Sequence, residues 1–417
     1  MARTAQVSNF LGLTKSTVGV LFMVILVGMG ERMAERFLPI YLLALGGGVL
    51  SIGLLNGMDN LLSALYSFPG AYLSDRFGTK RALLIYNIVA MCGFLVVIVI
   101  PAWQAVLVGA VFFISWSAIS LPATMSLIAK VLPLNKRTMG VSMHSLVRRF
   151  PMALGPILGG ICIGLWGERS GVRAAFVAAL LLTFLAIVLQ QKLIEDEPPR
   201  QDGDECAIVP EKNPLKLYRL MSPNLRRLLV SDILVRFCEQ IPYAFVVVWC
   251  MKTISRPVTA FQFGILTSIE MATAVLVYIP VAYLADKNTK KPFVAMTFVF
   301  FTLFPLALLF CQSFNWLVLA FILRGLKEFG EPTRKALIMD LAPEDCKAGM
   351  FGLYYLMRDV FVSVAAFGGA FLWLISPTTN FLVAFSFGVA GTFGFAFLGS
   401  DFPEVEFQDR SLNIGSD

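Results

Sequence analysis

Acidic and basic side chains sit in this sequence inside stretches that are otherwise apolar, and their spacing sets opposite charges beside one another. Glu31 and Glu35 are one helical turn apart, as are Arg32 and Arg36, so a helix gives each acid a basic neighbour. Asp232, Arg236 and Glu239 form a second group, and Arg324, Lys327, Glu328, Glu331, Arg334 and Lys335 crowd a third. Arg148 and Arg358 are followed directly by Arg149 and Asp359, with His144 one turn before Arg148, while Asp59 and Glu270 stand alone. In an apolar medium a carboxylate can carry a proton. A guanidinium there can grip a carboxylate or phosphate through two parallel hydrogen bonds. Each ionised group costs about 2.5–3.5 kcal/mol or more unless it is paired or wetted. Glu31, Glu35, Asp59 and Glu270 are therefore the candidates for proton exchange. Arg36, Arg148, Arg236, Arg324, Lys327, Glu328 and Arg358 are those for binding a solute. The competing expectation is structural pairing, since Arg324 with Glu328 and Lys327 with Glu331 have intrahelical spacing. Ten cations (Arg32, Arg36, Arg148, Arg149, Arg236, Arg324, Lys327, Arg334, Lys335, Arg358) face nine acids (Glu31, Glu35, Asp59, Asp232, Glu239, Glu270, Glu328, Glu331, Asp359). That near balance predicts a paired network that can break and re-form.

The medium follows from composition. Hydrophobic residues make up 57% of the 417 and charged ones 15%, with a mean hydropathy of +0.76. So much apolar surface requires a bilayer as solvent. Twelve stretches are long enough to cross about 30 Å of hydrocarbon as helices. They run over 18–45, 50–74, 82–101, 103–129, 138–166, 172–193, 227–251, 261–285, 292–312, 315–341, 349–375 and 379–401. The expected fold is an all-α membrane protein of two six-helix bundles, 1–193 and 227–417, joined by a linker over 194–226. The linker begins acidic and Pro-containing, and its later part, Leu215 to Leu220, alternates basic and apolar residues as a segment lying on the membrane surface does. The first stretch lacks a small-residue cleavage site and reads as a retained helix.

Lysine and arginine set the orientation. One set of loops holds Arg76, Lys80, Arg81, Lys130, Lys136, Arg137, Lys287, Lys290, Lys291 and Lys347; the other holds Arg169, Arg173, Lys252 and Arg256. The first set is expected on the cytoplasmic side of a bacterial cytoplasmic membrane, with both termini. The net charge of +7 is thus a topology signal, and its dispersal argues against nucleic-acid binding. Cys92, Cys162, Cys238, Cys250 and Cys311 fall in spans and Cys206 and Cys346 in cytoplasmic loops, so no disulfide framework is expected. One histidine and no CxxC argue against a structural metal, and no cofactor is expected.

The two halves are copies. Pro69-Gly70-Ala71-Tyr72-Leu73-Ser74-Asp75-Arg76 recurs as Pro280-Val281-Ala282-Tyr283-Leu284-Ala285-Asp286-Lys287, an offset of 211 residues. Pro122, Leu127-Ile128 and Pro133 recur as Pro332, Leu337-Ile338 and Pro343 at an offset of 210. Asp59 and Glu270, Arg148 and Arg358 correspond in the same way. A doubled helical bundle in so apolar a chain predicts a transporter.

Twelve spans, two related halves and a charged central loop resemble the major facilitator superfamily over essentially the whole chain. Its loop pattern, Gly-x-Leu-Ala-Asp-Arg-x-Gly-Arg-Lys, is met here by Ala71-Tyr72-Leu73-Ser74-Asp75-Arg76-Phe77-Gly78-Thr79-Lys80-Arg81, with Ala71 in place of the first glycine. The resemblance implies a gate made by Asp75, Arg76, Gly78 and Arg81, repeated at Asp286 and Lys287. Gly155-Pro156-Ile157-Leu158-Gly159-Gly160 resembles the core of a motif of proton-driven drug exporters, which adds Gly155 and Pro156 to the gate. Upstream glycines of that motif are replaced by Ser142 and Pro151. Glu35-Arg36-Phe37 resembles part of the Glu-x-x-Glu-Arg-Phe signature of proton-coupled oligopeptide transporters, with the first glutamate one residue early.

The expectation is a secondary active transporter, not an enzyme, moving a small amphipathic solute, anionic or zwitterionic, by alternating access coupled to protons. No Gly-rich nucleotide loop with Lys-Ser/Thr suggests ATP hydrolysis, and a monomer is expected. Rival readings are a non-transporting solute receptor on the same fold and an intramembrane enzyme. Within transport, a peptide-type importer and a drug-type exporter both remain open.

Overall fold

The computed structural model describes residues 15–114, 116, 120, 124, 147–194, 214–286, 289–343 and 347–400. In a bilayer every backbone N–H and C=O must find a partner within its own segment, and helices are what these apolar runs become. In chain order they are α1 (Lys15–Glu35), α2 (Leu38–Ala44), α3 (Gly48–Phe77), α4 (Thr79–Val99), α5 (Trp103–Phe113), α6 (Arg149–Leu193) and α7 (Pro214–Leu220). Then come α8 (Pro223–Tyr243), a helical turn Val246–Val248 running into a π-turn Trp249–Thr253, α9 (Ala260–Asp286), α10 (Lys291–Phe310) and α11 (Phe314–Leu326). The last three are α12 (Glu331–Leu341), α13 (Lys347–Ile375) and α14 (Pro377–Leu398). Among the described residues seven helices are long and apolar enough to span a bilayer, or eight if α8 and the turn after it count as one. One of the seven, α6, has 45 residues and is two spans joined at Gly167, whose φ of 77° lies outside the helical region. The architecture agrees with the all-α membrane bundle expected.

Three expected spans are broken. The first stops at Glu35 and resumes at Leu38, where Pro39 sits in the opening turn. A proline fits there because the first turn's N–H groups have no helical acceptor. The seventh ends at Tyr243, one residue after Pro242, and the tenth stops at Leu326 and restarts at Glu331 with Pro332 in its first turn. Between α3 and α4 the chain turns at Gly78 with φ of 81°, a conformation that disfavours any residue with a Cβ.

The described residues form two compact units, one drawn from Met1–Gln201 and Ala244–Met271, the other from Asp202–Tyr243 and Ala272–Asp417. In the first, α1 lies along α6 at glycine distance: a Cβ built on Gly159 would lie 2.0 Å from the Met33 carbonyl oxygen. In the second, α8 packs on α13 and α14 around Phe298, Phe395, Leu337, Ile338 and Met350. The segment Leu215 to Leu220 is helical, with Leu217 buried in that core and Leu220 exposed. Residues 195–213 of the linker, His144, Lys130, Lys136, Arg137, Cys206, Cys346 and Lys287 lie outside the described residues, as do the side chains of Asp75 and Asp286, and α8 takes in the linker's last four residues, 223–226.

Candidate functional site

The second unit holds an interlocked set of charges. On α8, Asp232, Arg236 and Glu239 follow at intervals of four and three and so line one face. Facing them is the break between α11 and α12. Three successive i→i−3 turns, from Lys327 to Arg324, Glu328 to Gly325 and Phe329 to Leu326, end the first piece. Gly330 then donates its N–H to Thr297 Oγ1 at 2.6 Å. This break presents Lys327 on one side and Glu331 and Arg334 on the other. From α13, Tyr354 and Arg358 reach in, one turn apart.

Each acid there has several partners. Glu239 accepts from Arg236 on Oε2 at 2.7 Å and from Lys327 on Oε1 at 2.8 Å. Glu331 accepts from Arg334 on both oxygens at 2.9 and 2.7 Å, with Arg236 at 3.5 Å and Lys335 at 3.4 Å. Asp232 pairs with Arg334 and accepts from the Tyr354 hydroxyl at 3.1 Å, with Arg358 at 3.7 Å and Arg236 at 3.9 Å. Arg358 also bonds Asp359 at 2.7 Å. Arg334 and Asp232 are each 1% exposed, so their charges are supported by protein groups and not by bulk water. Arg236 lies within 4 Å of three carboxylates at once. Arg324, also buried, lies over the rings of Phe304, Tyr243 and Phe321 at 5.0, 5.5 and 5.7 Å, where the negative ring faces attract a cation.

The first unit gathers a smaller set. Arg32 holds Glu35 at 2.6–2.8 Å. Asp59 lies in the field of Glu35, Arg32 and Glu31 and bonds Ser63. A cavity of about 20 Å³ opens beside them, lined by Glu31, Arg32, Arg148, Ser120, Thr124 and Trp116 among others. Glu270 is fully buried in this unit, and Arg36 occupies the gap between α1 and α2. Of the gate residues, Arg76 is exposed, bonding the Tyr72 hydroxyl at 3.2 Å, and Arg81 is exposed in the first turn of α4. Gly155 lies against Arg32 of α1, and the carbonyl of Pro156 approaches Gly264 of α9.

The structure thus brings Glu31, Glu35, Asp59 and Arg148 into one unit's interior and Arg236, Lys327 and Arg358 into one network in the other. Asp232, Glu239, Glu331, Arg334 and Tyr354 belong to that network too; the first four are counted among the paired charges of the spans but not among the binding candidates, and Tyr354 is in neither set. The signal was the four–three spacing on α8, which aims three charges one way.

An apolar multi-span bundle with paired charges inside is the build of a membrane transporter. The chain belongs to the Major Facilitator Superfamily, whose family model matches residues 20–253 and 228–411. It is 25% identical over 367 residues to an uncharacterised MFS-type transporter of Methanocaldococcus jannaschii, covering 85% of this chain and 87% of that one. Its fold is similar to that of a peptide transporter, POT, in complex with sulfate (TM-score 0.74, 15% identity, 92% and 94% of the two chains). It is also similar to a variant of the nucleoside transporter NupG (TM-score 0.74, 14%, 91% and 99%). A third is a bacterial homologue of the human lysosomal transporter Spinster (TM-score 0.70, 13%, 93% and 95%).

Proposed function

We propose that this membrane transporter is a proton-coupled secondary carrier of a small amphipathic solute, anionic or zwitterionic, working by alternating access. The observation that carries this reading is the network around Arg236. A solute carboxylate arriving there can take the place of Glu239 or Glu331 on Arg236 or Lys327. Arg324, Glu328 and Arg358 complete the binding set, and Arg36 and Arg148 serve the same role in the first half. Coupling falls to Glu35 and Glu31, with Asp59 and Glu270 behind them. Protonating Glu35 removes one of the charges that hold Arg32, and that guanidinium already lines the cavity. Asp75, Arg76, Gly78, Arg81, Asp286, Lys287, Gly155 and Pro156 act in gating. The halves are residues 1–193 and 227–417, the linker is 194–226, and both termini face the cytoplasm of a bacterial cell. The test is uptake into proteoliposomes from pools of labelled organic acids, amino acids, short peptides and nucleosides, with and without an imposed pH gradient. Accumulation of a charged solute that collapses when the gradient is dissipated is expected. Binding with no flux under any gradient would instead mark a receptor.

A further inference from the structure

Away from the charges, the first unit contains a chain of buried amides. The Trp116 indole N–H donates to Asn87 Oδ1 at 2.9 Å, and Asn87 Nδ2 donates to Gln190 Oε1 at 2.9 Å. Gln190 Nε2 then donates to the backbone carbonyl of Lys80 at 2.8 Å. Asn87 and Gln190 are wholly buried and Trp116 is 5% exposed. Each link uses a donor and an acceptor in the only sense that satisfies both amides, so no side chain in the series can turn without leaving a buried polar atom unpaired. One end of the series is a wall of the cavity that Glu31, Arg32 and Arg148 also line. The other end is the first turn of α4, two residues past the Gly78 turn and within the Gly78-Thr79-Lys80-Arg81 run.

We propose that Asn87 and Gln190 are positioning residues: they fix the Trp116 indole as a wall of the first-unit cavity and tie that wall to the Gly78 turn and the first turn of α4. The meaning of the cavity rests on the transport reading, but the link between wall and turn does not. Hydrogen bonds in series orient one another, so releasing the indole end lets Asn87 rotate and loosens the grip of Gln190 on Lys80. A merely local amide clamp would feel changes at Asn87 and Gln190 and ignore the indole. Contiguity alone does not establish coupling, so the test is a double-mutant cycle.

The readout is amide hydrogen exchange, by mass spectrometry, in the peptide spanning residues 78–86 of the full chain in detergent. It needs no transported solute, so a failed uptake screen and a failed relay are separate results. Asn87→Leu and Gln190→Met should each speed exchange there about two- to tenfold, the effect of one lost hydrogen bond. Trp116→Phe, which keeps a ring but removes the N–H, should speed it as well. Asn87→Leu combined with Trp116→Phe should be no faster than Asn87→Leu alone. Should Asn87→Leu not fold, Gln190→Glu serves instead, because it keeps the acceptor for Asn87 and removes the donor to Lys80. Combined with Trp116→Phe it should likewise be no faster than alone. Wild-type exchange in Trp116→Phe, or effects that simply add, would overturn the relay.

Discussion

Asp232 shows what a single residue does in this protein. Its carboxylate meets Arg334, the Tyr354 hydroxyl and Arg358, and the first of these is as buried as Asp232 itself. Removing one member of a buried pair typically costs about 3–5 kcal/mol, here with Arg334 left to Glu331, whereas replacing both by apolar groups is often neutral. Asp232→Asn should therefore lower the melting temperature in detergent sharply, and Asp232→Leu with Arg334→Met should recover most of it. If partners are exchanged during transport, the recovered double variant should still carry no solute. Flux restored along with stability would reduce the network to a structural device. Only half of this network was legible in the sequence. The charges and their helical spacing could be read directly, because periodicity fixes which residues share a face. Partners across helices could not. Lys327 has the spacing for an intrahelical pair with Glu331, yet the structure gives it Glu239 of α8, since the helix is interrupted between residues 327 and 330. The amides of Asn87 and Gln190 carry no charge and drew no notice, though a buried amide needs a partner as much as a buried ion does.

The interruption itself belongs to the scale of elements. Hydropathy sees 315–341 as one span, but Gly330-Glu331-Pro332 is a stop and restart, with a proline in the opening turn of α12. Pro39, in the opening turn of α2, signals the first break in the same way, and Pro242, next to last in α8, marks the other. These cues are local and weak beside twenty apolar residues, which is why the spans could be counted and their breaks could not. Tertiary contact then decides where the tenth span yields. Gly330 sits so close to α10 that an added Cβ would be 2.5 Å from both the Phe293 carbonyl and Thr297 Oγ1. Gly330→Ala must push the two helices apart, at about 1–3 kcal/mol. Thr297→Val removes the acceptor for the Gly330 N–H and should cost about 1 kcal/mol. Both losses should appear as lower melting temperatures in detergent, the alanine variant's the larger. An alanine variant as stable as the parent would mean that the break is held by the charges alone.

Taken whole, the molecule is one bundle used twice, with its charges divided unequally between the copies. In the second unit Asp232, Glu239 and Glu331 are each held by several cations. In the first unit, Glu35 pairs with Arg32, and that arginine borders a cavity. A proton gradient can do work only through a group that changes protonation once per cycle, and that change must alter what the solute meets. Glu35 is the residue proposed here to meet the second condition, because losing its charge would weaken its hold on Arg32, which could then turn to a solute or to another acid such as Asp59. Glu35→Gln fixes the neutral state permanently. Net accumulation driven by a pH gradient should then vanish in proteoliposomes. Counterflow exchange of labelled for unlabelled solute should continue, since it carries no net proton and needs no change of state. Accumulation that survives in Glu31→Gln, in Glu35→Gln and in the double variant would place the coupling proton elsewhere. Asp59 would be the first alternative, because it lies in the field of the same arginine, and Glu270, its counterpart 211 residues on, the second.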